Sequence, residues 1–388
     1  MSLKKNVLIV NQSAELYGAD KAILELIENF PETFNPIVVL HEEGPLKVIL
    51  EEMNVQVIKT SVIKVKRGIL KPSFFITLPY EVFKSFYKIK KELKGKKIDL
   101  IHSNATSVFI GAFYGFFFRI PHLWHVHEII EKPKKVAQIY PHIVNFFSKK
   151  VVFNSVATAN HFTTILPKIN SKSTIIHNGQ DRKTVISSEV EIKKIRNSFS
   201  SELEGKIVLG LIGRISMIKG QHLILEALSL LLKNHINIHL VFVGSPVKGK
   251  DDYIKSIHAI IQKLNLENHI SFIDFQENIW PYYDAIDIAV VPSTEKESFG
   301  LVATEAMLSK KPVVAANHGG LTEIVKHNET GFLFEANNSL DLSIQLEKLI
   351  VNEGLRTIFG ENGLKRVKEF FSTTNFTNSF EAEYNNLT

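Results

Sequence analysis

Short β-rich apolar runs alternate with stretches of helical periodicity along the whole chain, and the alternation starts twice. That pattern restricts the fold to parallel α/β construction, in which each strand feeds a helix that covers the sheet. In the first half, strands are expected at 7–10, 37–40, 55–58, 100–102, 123–126, 151–153 and 174–176, with helices at 21–29 and 82–93 among the connections. After a polar stretch, 178–204, a second set is expected at 208–212, 239–243, 270–273, 288–291, 313–315 and 331–334. Helices are expected between them at 221–233, 252–264 and 301–309. At 388 residues the chain exceeds one ordinary core. The reading is two doubly wound, Rossmann-like α/β domains, 1–185 and 186–370, followed by a terminal segment, 371–388. Ligands of such sheets bind beyond the carboxyl ends of the strands. Two facing sheets therefore place the expected site in the cleft between domains.

Composition removes several chemistries. The absence of cysteine excludes disulfides, thiolate zinc sites and a cysteine nucleophile. With 45% apolar and 22% charged residues, the chain is neither disordered nor fibrous. The longest apolar run, 108–118, is 11 residues, whereas a bilayer span needs about 20. Residues 6–10 are too short an apolar run for a signal peptide. The expectation is a cytoplasmic protein, at most peripheral at the inner face of the cell membrane. A formal charge of +6 asks for an anionic partner, and no nucleic-acid motif is present.

The most informative segment runs from Val290 to Glu305, Val-Val-Pro-Ser-Thr-Glu-Lys-Glu-Ser-Phe-Gly-Leu-Val-Ala-Thr-Glu. A buried strand ends at Pro292 and Ser293, a polar loop follows, and a helix is expected to begin at Phe299–Gly300. Glycine permits close backbone approach, so the turn Phe299-Gly300-Leu301 offers amides to an anion at a helix N-terminus. Glu297 precedes those amides and Glu305 follows them. Two carboxylates flanking a phosphate site suit a ligand with hydroxyl-bearing groups on both sides of a diphosphate, such as a nucleotide sugar. The spacing alone recurs by chance; the strand–loop–helix context carries the weight.

Three further segments point the same way. Val208 to Gly220 is a strand followed by Gly213-Arg214 and Lys219-Gly220. Arg214 can grip a phosphate bidentately, and Lys219 adds a point charge. Trp124-His-Val-His-Glu128 ends an apolar strand, and alternation puts His125 and His127 on one side, His127 nearer the strand end. The loop Asn11 to Asp20 follows the first strand, and Gly18 there lets substrate approach a helix N-terminus. It lacks the glycines of a dinucleotide fingerprint or a Walker A loop. No Asp-x-Asp occurs among the nine Asp, so neither a metal nor any other cofactor is expected.

Together these residues resemble the retaining glycosyltransferases of family 4, of GT-B architecture, over nearly the whole chain. The resemblance rests on Gly213-Arg214, Lys219-Gly220, Glu297 with Glu305, Ser298-Phe-Gly300, Gly319-Gly320 with Glu323, the strand-end His127 and the turn Asn178-Gly-Gln-Asp181. It departs at Tyr17-Gly18-Ala19-Asp20, where the family has Gly-Gly-Ala-Glu, and at His177, where it has Pro. The resemblance implies that Arg214 and Lys219 hold the donor diphosphate and Glu305 the ribose. Glu297 would contact the sugar, and His127 would touch it from the facing domain. Gly18, Gly213, Phe299, Gly300 and Leu301 would complete the donor site. It also implies metal-free retention of configuration, a glycan or lipid-linked acceptor, a place in cell-surface polysaccharide synthesis and a last helix that crosses back to the first domain. UDP-hexose, UDP-N-acetylhexosamine and GDP-mannose fit equally well as donors. A non-catalytic binding protein of the same fold and a nucleotide-sugar epimerase are the competing readings.

The basic excess is local. Residues 64–97 hold eleven Lys and Arg against Glu81 and Glu92, interleaved with Phe74, Phe75, Tyr80, Phe83, Phe86 and Tyr87. Such a helical stretch suits an anionic membrane surface, where a lipid-linked acceptor would sit. A solvated helix with its aromatics in the core is the competing reading.

Overall fold

A parallel strand covered on both faces must be apolar at consecutive positions, and runs such as Val7–Val10 and Val38–Leu40 meet that demand. The computed structural model describes residues 4–63, 72–246 and 251–388. It divides into two units, Met1–Gly179 with Ser372–Thr388, and Gln180–Phe371.

The first unit runs β1 (Lys5–Asn11), α1 (Gly18–Glu28), β2 (Phe34–Leu40), α2 (Pro45–Glu52), β3 (Gln56–Lys59), α3 (Pro72–Leu93), β4 (Leu100–Asn104) and α4 (Ile110–Phe118). It continues through β5 (His122–Val126), α5 (Lys134–Phe147), β6 (Lys150–Phe153), α6 (Val156–Ile165) and β7 (Ser173–Ile175). All strands are parallel, in the order β3-β2-β1-β4-β5-β6-β7. The order reverses between β1 and β4, so the helices on either side diverge there and leave a crevice at the strand ends.

The second unit runs α7 (Glu189–Phe199), β8 (Ile207–Ile212), α8 (Gln221–Leu231), β9 (Ile238–Val243), α9 (Asp251–Lys263), β10 (Ile270–Ile273), α10 (Trp280–Ala285) and β11 (Ile288–Val291). It continues through α11 (Leu301–Leu308), β12 (Val313–Ala316), α12 (Leu321–Ile324), β13 (Gly331–Phe334), α13 (Ser339–Ile350) and α14 (Glu353–Phe370). The parallel order is β10-β9-β8-β11-β12-β13, with its reversal between β8 and β11. The chain then returns to the first unit as α15 (Thr373–Leu387).

The expected strands are all present. The units divide at Gly179/Gln180 rather than at 185/186, and local packing explains the difference. A Cβ on Gly179 would collide with Phe376 and Thr373 of α15, which ties that residue to the first unit. Three residues later Arg182 is gripped in the second unit by both oxygens of buried Asp284, at 2.6 and 2.7 Å, and lies 5.2 Å from the Trp280 ring. Within the polar stretch 178–204 the structure holds α7, whose capping box pairs Ser188 with Glu191. α3 begins at Pro72, ahead of the expected 82; proline is at home in a first helical turn. Of the basic segment 64–97, residues 64–71 lie outside the described residues. Among the described residues no helix is long and apolar enough to cross a membrane.

α15 completes the first core. Phe376, Phe380 and Tyr384 are buried among residues of β1, β2 and α1, and the Phe380 ring stacks on His102 at 5.2 Å. Phe380→Ala is expected to cost about 3–5 kcal/mol through the cavity it leaves. Scanning calorimetry should show the first unit's transition lowered and the second unit's unchanged.

Candidate active site

The polar sequence segments fall at the two switch points. In the second unit, loops after β8, β11 and β12 converge at the reversal between β8 and β11. Their contact is backbone on backbone. A Cβ on Gly220, whose φ is +73°, would overlap the Pro292 carbonyl oxygen, and one on Gly319, at +60°, would overlap that of Glu297. Hydrogen bonds stitch the same loops together: Thr294 N donates to Ile218 O at 3.0 Å, Gly320 N to Glu297 O at 2.8 Å, and His318 Nε2 lies 2.8 Å from Ser293 O.

This frame brings Lys219 and Glu297 together. Lys219 Nζ lies 2.6 Å from Glu297 Oε1, and Ser293 Oγ donates to the same oxygen at 2.7 Å. Burial pushes the Glu297 carboxyl up, but Lys219, Ser293 and His318 outweigh it and hold the group below the usual carboxylate range. Gly213 follows β8 at φ +147°, and Arg214 beside it is exposed. Gly300, at φ +115°, caps α11, which starts at Leu301, with buried Phe299 packed edge-on against Phe371 at 5.7 Å. Ala303 N donates to Gly300 O at 2.9 Å, while the amides of Leu301 and Val302 open α11 with no carbonyl one turn earlier in the helix.

Glu305 lies one turn inside α11 and is only 3% exposed. Tyr283 Oη donates to its Oε2 at 2.9 Å, and Gln180 Nε2 to its Oε1 at 3.1 Å. Thr304 Oγ1 donates to Gln180 Oε1 at 2.6 Å and so sets the amide's orientation. Burial, and then the Glu305 charge, push the Tyr283 hydroxyl far above its ordinary value, which keeps it a donor. Both carboxylate oxygens are thus fixed in direction. Nothing local in the sequence marks Tyr283 or Gln180; Gln180 stands within the Asn178–Asp181 turn, but its partner is 125 positions away.

In the first unit the switch point is lined by amides and an imidazole, and its carboxylate, Asp20, is turned to Asn11 and Ser13. Asn104, at the end of β4, donates through Nδ2 to Asn11 Oδ1 at 2.6 Å and to Ala19 O at 3.0 Å. Its Oδ1 therefore faces His127 Nε2, 2.7 Å away, so Nε2 carries the proton and Nδ1 is left an acceptor. Burial holds the His127 imidazole down at about 3. His125 does not reach the same place. It is enclosed by His102 and Phe380, its ring centre is 3.8 Å from that of His127, and neither of its nitrogens has a hydrogen-bond partner. Glu128 turns away and accepts from Thr106 N and Oγ1. Gly18 is the exposed first residue of α1, while Asp20 is consumed by Asn11 and Ser13 at 2.8 and 2.5 Å. Among the described residues no three His, Asp or Glu are grouped to hold a metal ion.

Comparison with known proteins matches two family models to the two halves: "Glycosyltransferase Family 4" over residues 17–183 and "Glycosyl transferases group 1" over 193–366. The uncharacterized glycosyltransferase MJ1178 of Methanocaldococcus jannaschii is 31% identical over 290 residues, covering 73% of this chain and 75% of that one. The capsular polysaccharide biosynthesis glycosyltransferase CapM of Staphylococcus aureus is 27% identical over 51% of this chain, and the match spans half, 50%, of that relative's length. The crystal structure of HepE from Anabaena in complex with UDP superposes with a TM-score of 0.84 at 26% identity, covering 98% of this chain and 100% of that one.

The buried imidazoles predict acid sensitivity. His102 and His125 are held well below 6.5 by burial, His122 at about 4 and His127 at about 3. The unfolded chain takes up these protons first, so the stability they contribute is full above 6.5 and is lost as pH falls toward the folded values. Urea midpoints should drop steadily from about pH 7 to about pH 4, and less steeply in His125→Leu. Equal slopes would remove the histidines as the cause.

Proposed function

The chain belongs to glycosyltransferase family 4, of GT-B architecture, and we propose that it is a retaining, metal-independent enzyme that moves a sugar from a nucleotide-diphosphate donor to a glycan or lipid-linked acceptor in cell-surface polysaccharide synthesis. The observation that carries this reading is the set Arg214, Lys219, Glu297 and Glu305 around one switch point, with the α11 N-terminus between the two carboxylates. The HepE structures hold UDP and UDP-glucose, which supports a nucleotide-diphosphate sugar here.

Each group then has a task. Arg214, Lys219 and the amides near Gly300 bind the diphosphate, with Gly213 and Gly220 allowing its approach. Glu305, fixed by Tyr283 and Gln180, accepts the two ribose hydroxyls. The diphosphate competes with Glu297 for Lys219; as it draws the ammonium away, Glu297 is freed to accept from a sugar hydroxyl. In the first unit His127, neutral, can accept from a hydroxyl at Nδ1, and Gly18 leaves the α1 terminus open to substrate. In the transfer the bond from the anomeric carbon to the β-phosphate oxygen breaks, and its electron pair stays on the phosphate. The acceptor oxygen bonds the same face of that carbon, and its proton passes to the departing phosphate oxygen. Lys219 and Arg214 stabilise the charge as it develops, so no protein nucleophile is required.

A thermal-shift screen of UDP, GDP and their sugars tests the reading. The cognate nucleotide should raise the unfolding midpoint, since it binds only the folded chain. Lys219→Ala and Arg214→Ala should abolish that shift. Glu297→Ala should keep it while slowing donor turnover on the order of a hundredfold or more. A chain that binds the nucleotide yet turns over no donor, with Glu297→Ala indistinguishable from wild type, would be a binding protein instead.

A further inference from the structure

α3 is apolar on two sides. Ile89 and Leu93 are buried in the first core, with Val82 and Phe86 packed against it. Outside that buried face Ile76, Tyr80, Phe83 and Tyr87 follow one another at helical spacing and are all exposed, Ile76 by 79% and Phe83 by 71%. A helix at a protein–water surface needs one apolar stripe only. The second continues onto α4, where Phe116, Phe117 (65% exposed) and Phe118 end the helix, and onto Phe146 of α5, whose ring lies 5.8 Å from that of Phe116. Between α3 and α4 lies an open groove of about 580 Å³, lined by apolar side chains alone, with Val82, Phe83 and Phe86 on one wall and Phe113, Phe117 and Phe118 on the other.

Charge accompanies this apolar face. The exposed stripe of α3 runs on into Lys90, Lys91 and Lys94, with Lys84 and Lys88 beside it, and Arg119 follows the three phenylalanines; all are exposed. Glu92 is engaged by Lys88 at 2.9 Å. The segment 64–97 carries a net +9, eleven cations less two carboxylates. A second copy of the chain seated on this face would bring two such segments together and be repelled. Aromatic rings with lysines at their margin are instead what a headgroup layer accepts, rings at the boundary and ammonium groups on the phosphates.

We infer that the α3–α4 face docks the protein on an anionic lipid bilayer, with the aromatic stripe at the headgroup level and a hydrocarbon chain in the groove. Docking stands apart from the transfer chemistry; it rests on the proposed function only in that a lipid-linked acceptor would be met there.

Vesicle flotation of the full chain tests it, using phosphatidylcholine with and without phosphatidylglycerol. The chain should float with the anionic vesicles at low salt and be left behind by phosphatidylcholine alone. Lys90→Glu with Lys91→Glu should lower partitioning on the order of tenfold or more. Phe83→Ser with Phe117→Ser should lower it comparably, with far-UV dichroism and unfolding midpoint unchanged, since both residues are exposed. No retention on anionic vesicles overturns the inference. So does self-association in vesicle-free solution that Phe83→Ser abolishes, which would make the face a contact between copies. The nucleotide-induced rise in midpoint, read on the same samples, reports separately on the donor site.

Discussion

The candidate site depends on how closely three loops of the second unit approach one another. Gly220 lies against the Pro292 carbonyl and Gly319 against that of Glu297, with no side chain between them. Backbone contact at that range leaves little freedom to the residues beside it. Lys219 and Glu297 are neighbours of those contacts, so their 2.6 Å pair follows from main-chain packing rather than from two long side chains finding each other. An ion pair held by its scaffold loses less conformational entropy than an ordinary surface pair, and a partly buried one is less screened.

The two switch points share a topology and differ in chemistry. One gathers cations, carboxylates and helix-terminal amides. The other gathers the amides of Asn11 and Asn104 and an imidazole that burial keeps uncharged, its one carboxylate, Asp20, being spent on Asn11 and Ser13. The second can offer hydrogen bonds without adding charge, which suits contact with hydroxyls, while the first suits contact with phosphates.

The fold was readable because buried parallel strands are apolar over consecutive positions, as β8, β11 and β12 are, whereas the edge strands β3, β7 and β10 are only partly buried. Arg214, Lys219, Glu297, Gly300 and Glu305 were readable for a related reason: each sits where a recognisable strand turns into a recognisable helix. What escaped was pairing at a distance. Lys219 and Glu297 are 78 positions apart, and Gln180 and Glu305 are 125 apart; nothing local marks either relation. His125 shows the converse limit. Alternation along β5 correctly put it on the face of His127, yet α15, more than two hundred positions later, covers it with Phe380. Asp20 looked like part of a substrate loop and is spent on holding that loop to Asn11 and Ser13.

The return of α15 to the first unit also sets an order of events. Residues 180–371 form a complete unit from one uninterrupted stretch, whereas the first is built from two stretches separated by all of the second. On the ribosome, residues 1–179 emerge first but lack Phe376, Phe380 and Tyr384, which close the face over β1, β2 and α1. That face stays uncovered until the second unit has been made in full. The half synthesised first is therefore the half completed last, and its exposed apolar surface is the span of synthesis most in need of protection from aggregation.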